Sequence, residues 1–481
     1  MTFKHQLLLS GCVAAPLFSC TQGGITEKIR PNILFIYADD LGWTDVASGS
    51  QFYETPAIDR LASEGFRFQA AYSCGPNSAP SRASLLTGQY TPRHGVYTVG
   101  SGERGESSLR KLIPVENKTT LELDFVTIAE ELQHAGYRTG LIGKWQLGHH
   151  DKGTGPQQQG FDFVVSGEGG TPDYFYPYRK KGTQRALPVH AGIVTGKEGD
   201  YLTDRLTDEA IRFIGEKQDK PFFLYLSHFA VHTPTQSKAA KIEKYKAKPA
   251  DEAHLHDHPV YAGMVESLDE SVGRLLHALD SLKIADHTVV IFFSDNGGNG
   301  GVTAQLPLKG AKGTLHEGGI RVPLFVRWPG ITHPGASTYT PVIGVDFYPS
   351  LLEIAGVHEP LNRETDGVSF VPLLQDKENA DRDIFWHFPG YLENGQKNKV
   401  VKGAFRTRPV SVIRSGDYKL LSFYEDGHLE LYNLNADIGE TNNLSHTNPE
   451  KTEELVAKLR QWKASVKAPE PTALHPDYKN P

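Results

Sequence analysis

NILFIYADD, residues 32–40, is an apolar, β-rich run that ends in two aspartates. A run of the same form, TVVIFFSDNGG, occupies residues 288–298. Short continuous apolar runs are typical of strands buried on both faces, as in a parallel sheet covered by helices. The carboxyl ends of such strands open onto one crevice, where α/β proteins bind their ligands. Both runs therefore predict buried strands with polar residues at a ligand-binding edge.

Amphipathic helical segments and apolar strand-like segments alternate around these two runs. One helix is predicted to begin after Pro56, with Ile58, Leu61 and Ala62 on its apolar face. Further helices are predicted over 126–135 and 264–282, and further strands over 137–143 and 221–229. The alternation predicts an α/β fold with a large, mixed and mostly parallel sheet sandwiched by helices.

The pattern changes after about residue 375, where short strand-like pieces such as VSVIRSG and YKLLSFY are separated by turn residues. These pieces predict a small antiparallel sheet, and residues 451–466 predict a closing helix. A chain of 481 residues also exceeds what a single core usually holds. We therefore predict an N-terminal α/β domain over 21–375 and a smaller C-terminal α+β subdomain over 376–481.

Residues 1–20 are predicted to be an export signal and not part of the fold. Lys4 precedes the apolar stretch LLLSGCVAAPLF, which is too short to span a bilayer. The stretch ends at Cys20 in a pattern that resembles a bacterial lipoprotein cleavage site, with Cys12 or a plain signal peptide as alternatives. Each alternative predicts export. The mature protein would lie in the periplasm or be anchored in the outer membrane as a lipoprotein.

Composition excludes several classes of protein. The net charge of −7 gives no reason to expect nucleic-acid binding by bulk electrostatics. Only Cys74 remains after the export signal, so a disulfide framework is excluded. No later stretch is apolar enough for a transmembrane helix, so membrane contact is expected only through a lipid anchor. An anionic substrate would need local cations or a metal ion to hold it.

Acidic residues follow both of the apolar runs quoted above. Asp39 and Asp40 end the first run, and Asp295 and Asn296 end the second. Three carboxylates and one amide oxygen at one sheet edge form an oxygen-only site, which suits Ca²⁺ or Mg²⁺, whereas zinc would recruit His or Cys. The alternative is that each pair of polar residues merely caps a turn. Because such a pair follows two separate apolar strands, the metal site is favoured.

Basic residues follow the neighbouring predicted strands. Lys144 comes after the strand over 137–143, His232 after the strand over 221–229, and Lys309 and Lys312 lie in LPLKGAKGTLHEGGIRVP. A metal with a ring of cations describes an anion site. Taken singly, each lysine could equally be interpreted as a solvated surface residue, and the histidine as a residue of the core.

Gly100 to Gly105 match the phosphate-binding pattern GxGxxG. The following SSLRKLIPV is interrupted by Pro114 and does not predict the long helix that a nucleotide site requires. We interpret the segment as a loop.

Several motifs together resemble the type I sulfatase family of the alkaline-phosphatase-like fold. They are SAPSRASLLTG (78–88), GKWQLG (143–148), HTP (232–234), DNGG (295–298), KGAKGTLHEGGIRVP (309–323) and DFYPS (346–350). The first is similar to the family's maturation signature [C/S]-x-P-S-R-x-x-x-L-T-G. The resemblance covers roughly residues 30–465.

The resemblance implies that Ser78 is oxidised to Cα-formylglycine by a serine-type maturating enzyme. It also implies that a divalent cation, usually calcium, is held by Asp39, Asp40, Asp295, Asn296 and the modified Ser78. Arg82 would steady the formylglycine. Sulfate oxygens would be bound by Lys144, His232 and Lys312, with His232 or Lys312 protonating the leaving alcohol.

The implied chemistry explains why an unmodified serine would not suffice at position 78. Formylglycine hydrates to a geminal diol, and one hydroxyl attacks sulfur while the alcohol departs. The remaining hydroxyl can then lose its proton, re-form the aldehyde and expel sulfate. Serine has no second hydroxyl and would stay trapped as the sulfate ester.

Gln146 departs from the family's pattern, which has histidine in GKWHLG. That histidine resembles a base that helps to break down the sulfated intermediate, and an amide cannot accept a proton near neutral pH. Gln146 could instead orient the diol by hydrogen bonding. His149 or His150 is a candidate for the base, with loop residues without a direct role as the alternative.

Candidate substrate residues are less sharply defined. DYFYPYRKK (173–181) combines aromatic faces, including Tyr174 and Tyr176, with cations, as a sulfated sugar would require. Aromatic packing under a surface loop is the alternative. Further candidates are His94, and His387 and Tyr391 in FWHFPGY.

We therefore expect an exported, calcium-dependent sulfatase that removes sulfate from a sulfated carbohydrate. One alternative is a phosphonate or phosphate ester hydrolase of the same superfamily. The other is a sulfoglycan-binding homologue that is catalytically impaired by Gln146 or by lack of maturation.

Overall fold

The structure is a computed structural model of the chain. It describes residues 1–2, 30–167, 172–179, 189–190, 196–216, 219–358, 364–379, 381–395 and 398–479. The predicted export signal from residue 3 onward, with Cys12 and Cys20, lies outside the described residues. Lys180 and Lys181 of the aromatic and basic stretch also lie outside them.

Seventeen strands occur within these ranges. They are β1 (Asn32–Ala38), β2 (Phe66–Phe68), β3 (Ala71–Tyr72), β4 (Arg138–Lys144), β5 (Phe163–Gly167), β6 (Val189–His190), β7 (Phe222–Ser227), β8 (Thr288–Ser294), β9 (Leu324–Arg327), β10 (Ala336–Thr338), β11 (Val342–Ile343), β12 (Asp383–Phe388), β13 (Leu392–Glu393), β14 (Phe405–Thr407), β15 (Val410–Ser415), β16 (Tyr418–Phe423) and β17 (Leu429–Asn433).

Eleven α-helices are found in the same part of the chain. They are α1 (Pro56–Glu64), α2 (Ser78–Thr87), α3 (Thr91–His94), α4 (Ile128–His134), α5 (Leu202–Gly215), α6 (Ala239–Lys246), α7 (Pro259–Ser281), α8 (Glu317–Ile320), α9 (Phe347–Ile354), α10 (Val371–Leu374) and α11 (Pro449–Ser465).

The main sheet has the strand order β10-β2-β9-β8-β1-β7-β4-β5-β6. Its central strands β8, β1, β7, β4 and β5 are all parallel, whereas β9 pairs antiparallel with both β8 and β2, and β6 pairs antiparallel with β5. The carboxyl ends of β8, β1, β7 and β4 therefore lie side by side at one edge.

Helices cover both faces of this sheet, which is why its central strands are apolar on both sides. One core layer packs α2, α4 and α9 against alternate residues of β1 and β8, such as Phe35 and Ile291. The other packs α1, α5 and α7 against the intervening residues, such as Leu34 and Val290. The strands are completely buried along most of their length, so their polar neighbours can emerge only at the ends.

The C-terminal sheet has the order β12-β15-β16-β17 and is antiparallel throughout. Helix α11 packs against β15 and β16. The apolar core beneath this sheet also contains residues of the first part of the chain, among them Tyr72, Leu315 and Ile320. The two parts therefore share a core.

The predicted fold class is confirmed by this architecture. Helix α1 buries Ile58, Leu61 and Ala62 as expected. Helix α7 begins five residues before the predicted start, because the His258 side chain accepts a hydrogen bond from the Tyr261 amide and Pro259 occupies the first helical position. The predicted boundary at residue 375 stays a prediction.

No helix in the described ranges has both the length and the apolar composition needed to cross a bilayer. Ser107–Leu109, which follow the GxGxxG match, form only a single short helical turn. The match therefore lacks the helix that would make it a phosphate site.

Candidate active site

Four polar residues meet at the carboxyl edge of the main sheet. Asp39 and Asp40 directly follow β1, and Asp295 and Asn296 follow the adjacent β8. The Asp40 amide donates to Asp295 Oδ1 at 3.1 Å, and Asn296 Nδ2 donates to Asp40 Oδ1 at 2.8 Å. All four side chains are buried. The parallel pairing of β1 and β8 is therefore what brings the two acidic pairs together.

Asp45 supports the turn that carries Asp40. Asp40 has a left-handed backbone with φ of 63°, which is uncommon for a residue other than glycine. Asp45 Oδ2 accepts hydrogen bonds from the Gly42 amide at 2.8 Å and from the Tyr261 hydroxyl at 2.6 Å. Sequence reasoning missed Asp45, although a third aspartate shortly after Asp40 was a signal that could have identified it.

Ser78 is the first residue of α2, and its side chain faces the acidic cluster. Its hydroxyl donates to Asp39 Oδ1 at 3.2 Å, lies 3.4 Å from Asn296 Oδ1, and accepts from Lys144 Nζ at 3.1 Å. The residue before the helix, Asn77, makes no side-chain cap. The start of α2 thus presents Ser78 to the cluster and does not use it as a cap.

Each buried carboxylate has a cation of the chain beside it. Lys144, the last residue of β4, lies 2.6 Å from Asp39, and Lys312 Nζ lies 2.6 Å from Asp40. Arg82, one helical turn after Ser78, pairs with Asp295 at 2.7 Å. Such pairing is necessary because an isolated charge is very costly to bury.

His232 approaches the cluster from the loop after β7. Its Nε2 lies 3.6 Å from Asp40 Oδ2, and its Nδ1 lies 2.7 Å from the Thr233 carbonyl oxygen. The carbonyl can only accept, so Nδ1 carries the proton. In the neutral ring Nε2 is then the free acceptor or metal-ligating nitrogen.

The charges of the cluster shift the pKa values of its members. Burial alone would raise the pKa of Asp39 and Asp40, but Lys144 and His232 outweigh it at Asp39, and His232 and Lys312 outweigh it at Asp40, so both pKa values are lowered. Burial lowers the pKa of Lys144 and of His232. The carboxylates are therefore held ionised, as metal ligands must be.

Arg82 is enclosed by groups that orient its guanidinium. It lies 4.9 Å from the centre of the Tyr37 ring and donates to the Ser227 hydroxyl. Ser227 in turn donates to the Lys144 carbonyl at 2.7 Å, which links the end of β7 to the end of β4. Ser227 was not singled out from the sequence, because a serine at the end of a strand carries no signal of its own.

The donor set fits a hard divalent cation. Asp39, Asp40 and His232 each offer a ligand atom within 4.8 Å of the others. The side-chain amide oxygen of Asn296, Oδ1, faces the same space as the Ser78 hydroxyl. Carboxylate and amide oxygens dominate, which matches the ligands that calcium and magnesium prefer. Asp295 is adjacent, with one oxygen accepting from Arg82 and the other from the Asp40 amide.

Gln146 follows Lys144 by two residues and has a left-handed backbone with φ of 66°. Its Oε1 is buried and has no hydrogen-bond partner among the described residues. A buried polar atom without a partner usually has one in a state with ligand or water present. His149 and His150 lie three and four residues further on, partly exposed, and a base role for either stays a prediction.

Two predicted substrate histidines are buried, with both ring nitrogens engaged by the chain. The His94 nitrogens contact the Ser84 hydroxyl at 2.9 Å and the Val96 amide at 3.1 Å. The His387 nitrogens contact the Ser411 hydroxyl at 2.8 Å and the Pro469 carbonyl at 2.9 Å. Burial lowers the pKa of His94 to about 3 and that of His387 to about 4, so both rings are neutral.

The two substrate candidates of the aromatic stretch before residue 180, Tyr174 and Tyr176, differ in their burial. Tyr174 is buried, and its hydroxyl donates to the carbonyl oxygens of Phe229 at 2.6 Å and His232 at 2.9 Å. Tyr176 is partly exposed and packs edge-on against Tyr178. Tyr174 therefore holds the loop that carries His232, a role that its sequence context did not indicate.

Two family models and several known proteins relate this chain to sulfatases. A family model described as Sulfatase matches residues 31–357, and one described as N-sulphoglucosamine sulphohydrolase, C-terminal, matches residues 311–468. A protein of Formosa agariphila named Sulfatase is 36% identical to this chain, in an alignment that covers 96% of this chain and 94% of that protein. Human N-acetylgalactosamine-6-sulfatase is 33% identical over 74% of this chain and 68% of its own length.

A solved structure shares the fold as well as the sequence pattern. The crystal structure of Ps i-CgsB in complex with k-i-k-neocarrahexaose has a TM-score of 0.74 and 31% identity, over 93% of this chain and 95% of that one. The first family model alone spans both acidic pairs and every cation described above. The chain belongs to the sulfatase family of the alkaline-phosphatase-like superfamily and is a sulfuric ester hydrolase.

Proposed function

We propose that the chain removes sulfate from the sulfate esters of a glycan, with a nucleophile made from Ser78. The observation that carries the proposal is the position of the Ser78 hydroxyl, 3.1 Å from Lys144 Nζ and 3.2 Å from Asp39 in a buried cluster. Relatives that cover most of this chain are named for a sulfated amino sugar or hold a carrageenan oligosaccharide. These relatives favour a carbohydrate as the carrier of the ester.

The nucleophile is proposed to be formylglycine, produced when a serine-type maturating enzyme oxidises the Ser78 side chain. Hydration of the aldehyde adds water and gives a geminal diol. One diol oxygen forms a bond to sulfur as the bond from sulfur to the sugar oxygen breaks, and the alcohol takes up a proton. Loss of the proton from the other hydroxyl re-forms the aldehyde and expels sulfate.

Residues around Ser78 are suited to the charges that this reaction develops. Lys144 and Lys312 lie on two sides of the cluster and are proposed to bind the sulfate oxygens. His232 or Lys312 is proposed to protonate the leaving alcohol. Arg82 is proposed to steady the formylglycine through its helix and its pair with Asp295.

A divalent cation, Ca²⁺ by preference and Mg²⁺ as the alternative, is proposed to be held by Asp39, Asp40, Asp295, Asn296 and the modified Ser78. When bound, such an ion supplies positive charge that lowers the pKa of an attacking hydroxyl and offsets charge on the sulfate. The buried carboxylates and the lowered pKa values of Asp39 and Asp40 support this proposal.

Export to the periplasm or outer membrane is also a proposal, supported by the pattern of residues 1–20. It is tested by expressing the full chain in a Gram-negative host with labelled palmitate. Label is expected in the wild-type protein and in C12A, and its loss is expected in C20A. Equal labelling of wild type and C20A would contradict Cys20 as the lipid site.

The decisive experiment compares protein made with and without a serine-type maturating enzyme. The tryptic peptide of residues 68–82 is expected to lose about 2 Da on conversion of Ser78, the mass of two hydrogens. Only the converted protein is expected to release sulfate from a panel of mono-sulfated galactose, galactosamine, glucosamine and uronate standards, measured by ion chromatography. S78A carried through the same expression is the control.

Two outcomes would contradict the proposal. Full activity of unconverted protein would exclude the formylglycine mechanism. Saturable binding of a sulfated sugar by converted protein, with no release of sulfate, would instead favour the sulfoglycan-binding alternative. Parallel assays with aryl phosphate and phosphonate esters separate a sulfatase from an ester hydrolase with phosphorus substrates.

A further inference from the structure

A basic cavity of about 290 Å³ lies beside the candidate active site, between the two parts of the chain. Its walls come from the segment that carries Lys312, from the loop before β14, and from β14, β15, β16 and β17. The charged residues that line it are Lys309, His316, Lys402, Arg406, Arg408 and Glu430. Four permanent cations and a histidine therefore face a single carboxylate.

Some of these charges are already balanced within the protein. Glu430 lies 3.5 Å from Lys309 and 2.8 Å from His316, and it also accepts a hydrogen bond from Tyr432. Arg408 pairs with Glu425, outside the lining, at 2.7 Å. Lys309, His316, Arg408 and Glu430 therefore each have a partner of opposite charge type within the protein.

Lys402 and Arg406 are different, because neither forms an ion pair with any described residue. Arg406 Nε donates to the Glu393 carbonyl at 3.0 Å and its Nη1 to the Lys312 carbonyl at 3.4 Å. Its Nη2 donates to no group that the structure describes. In the Glu393 carboxylate, Oε1 pairs with Arg104 at 2.6 Å, and Oε2 has no hydrogen-bond partner among the described residues.

Burial and then the nearby Arg104 lower the pKa of Arg406, whereas Glu393 and Asp40 act in the opposite direction. The guanidinium stays charged all the same, because an arginine side chain is not deprotonated in proteins. A partly buried cation that is repelled by its neighbour gains more than a solvated one from a bound anion.

The cavity lining comes within two residues of Lys312, at Thr314. A Cβ placed on Gly313 would lie 3.0 Å from Arg406 Cδ, so the arginine side chain runs directly over this glycine. Lys312 itself reaches Asp40 at 2.6 Å. Arg406 therefore lies beside the backbone of Lys312, and the exposed Lys402 lines the same cavity.

We propose that this cavity is a second anion subsite, which takes a carboxylate or a further sulfate that the glycan carries beside the ester to be cleaved. The inference rests on the proposed function, since it presumes that a glycan ester occupies the Ser78 cluster. A guanidinium with a free edge binds planar or tetrahedral oxyanions well, and a lysine at the rim adds a second charge. A neutral sugar would leave both cations solvated and gain nothing from them.

The test measures binding to full-length S78A protein in calcium buffer by calorimetry, so that turnover does not intervene. Two series of probes are used, built on N-acetylgalactosamine 6-sulfate and on galactose 6-sulfate. Each series contains the mono-sulfated sugar, a disulfated form, and a form linked to glucuronate. K402Q and R406Q are made in the S78A background, and K399Q, which removes a lysine of the same loop outside the cavity lining, is the matched control.

In at least one series a doubly anionic form is expected to bind about tenfold more tightly than the mono-sulfated sugar. K402Q and R406Q are each expected to reduce that ratio by threefold or more, while K399Q retains it. The form with the larger ratio identifies the second group as sulfate or carboxylate. A ratio near one in both series, or the same ratio in all three variants, would overturn the inference. Sulfate release by the matured protein is scored separately, so a failure of the proposed function is distinguished from a failure of this subsite.

Discussion

Arg82 shows at the level of one residue how the cluster is held together. It is buried beside Asp295 at 2.7 Å and stacks on Tyr37, so its removal leaves a buried carboxylate without its partner. The loss of one partner of a buried ion pair typically costs about 3–5 kcal/mol, whereas an exposed pair contributes about 0–1 kcal/mol. The expected losses of stability for a buried and an exposed ion pair therefore differ by more than the error of an unfolding measurement.

We therefore expect R82A to lower the free energy of unfolding by about 3–5 kcal/mol, measured by urea unfolding of unconverted protein. R60A is the control, because Arg60 pairs with Glu64 at 2.6 Å but is 47% exposed. It should change the stability by less than about 1 kcal/mol. Equal effects of the two substitutions would contradict the assignment of Arg82 as the anchor of Asp295.

A second prediction for a single residue concerns the side-chain amide of Gln146. Its Oε1 is buried without a hydrogen-bond partner among the described residues, so deleting the amide removes no bond from the free protein. We expect Q146A to keep its melting temperature but to lose about tenfold in kcat, with KM little changed, if the oxygen accepts a bond formed during the reaction. Initial rates with the fastest sugar of the panel measure this.

H149A serves as the comparison for Q146A. A fall in kcat for H149A with Q146A unaffected would show that the base function lies at residue 149. A lower melting temperature for Q146A would instead mean that the amide contributes to packing.

Among the elements, the loop after β7 depends on a tyrosine from another segment. The Tyr174 hydroxyl donates to the carbonyls of Phe229 and His232, so it sets the course of the backbone on both sides of the turn. The side chain of His232 then reaches Asp40 from this loop. The position of a proposed catalytic group thus rests on a side chain that does not itself face the cluster.

Y174F is expected to lower kcat several-fold and to lower the stability by about 1–3 kcal/mol, because the carbonyls of Phe229 and His232 both lose this bond and Phe229 keeps only the one from the His232 amide. Y176F is the matched control: it makes the same change two residues away, at a hydroxyl that bonds to no described residue. Thermal unfolding and initial rates measure both effects. Identical behaviour of the two variants would contradict the positioning role of Tyr174.

At the scale of the whole molecule, a buried ionic network joins α8 and β3 of the N-terminal part of the chain to the C-terminal sheet. Lys419 on β16 lies 2.9 Å from both Glu317 on α8 and Glu440. Arg321 and the Tyr72 hydroxyl also contact Glu317. These residues are buried, and the apolar core around them contains residues from both parts of the chain. The two sheets are therefore expected to unfold together.

This network predicts a dependence of stability on pH. Burial alone would raise the pKa of Glu317, but Lys419 first, and then Arg321 and Arg414, lower it to about 2. A carboxyl with a lowered pKa in the folded state adds stability above its unfolded pKa, near 4.3, and loses it as the pH falls towards 2. The free energy of unfolding should therefore fall over this range.

E317Q is expected to be less stable than wild type at pH 7 and to show a shallower fall between pH 4.5 and 2, as followed by urea unfolding at a series of pH values. E353Q removes a carboxylate from α9 outside the network and should leave the slope of the wild-type curve unchanged. Parallel curves for E317Q and wild type would contradict the account of Glu317.

Much of the fold could be predicted from the sequence because its signals are local. Asn32–Ala38 and Thr288–Ser294 are continuous apolar runs, and such runs predict buried strands wherever they occur. The signature at residues 78–88 and the GKW motif at 143–145 identified the family without knowledge of the sheet order. Element ends were less certain, as the early start of α7 shows, because a cap from His258 lies outside the apolar pattern.

The sequence by itself determined which residues stand at the ends of the strands, since the backbone leads directly from each apolar run into the polar pair that follows. Only the tertiary structure decided which side chains meet. His387 and Tyr174 turn inward to hydrogen-bond partners that lie in other segments of the chain, while Arg406 is brought next to Lys312 across a distance of 94 residues. Such side-chain contacts depend on how distant segments of the chain pack together. A local pattern of residues gives no information about that packing.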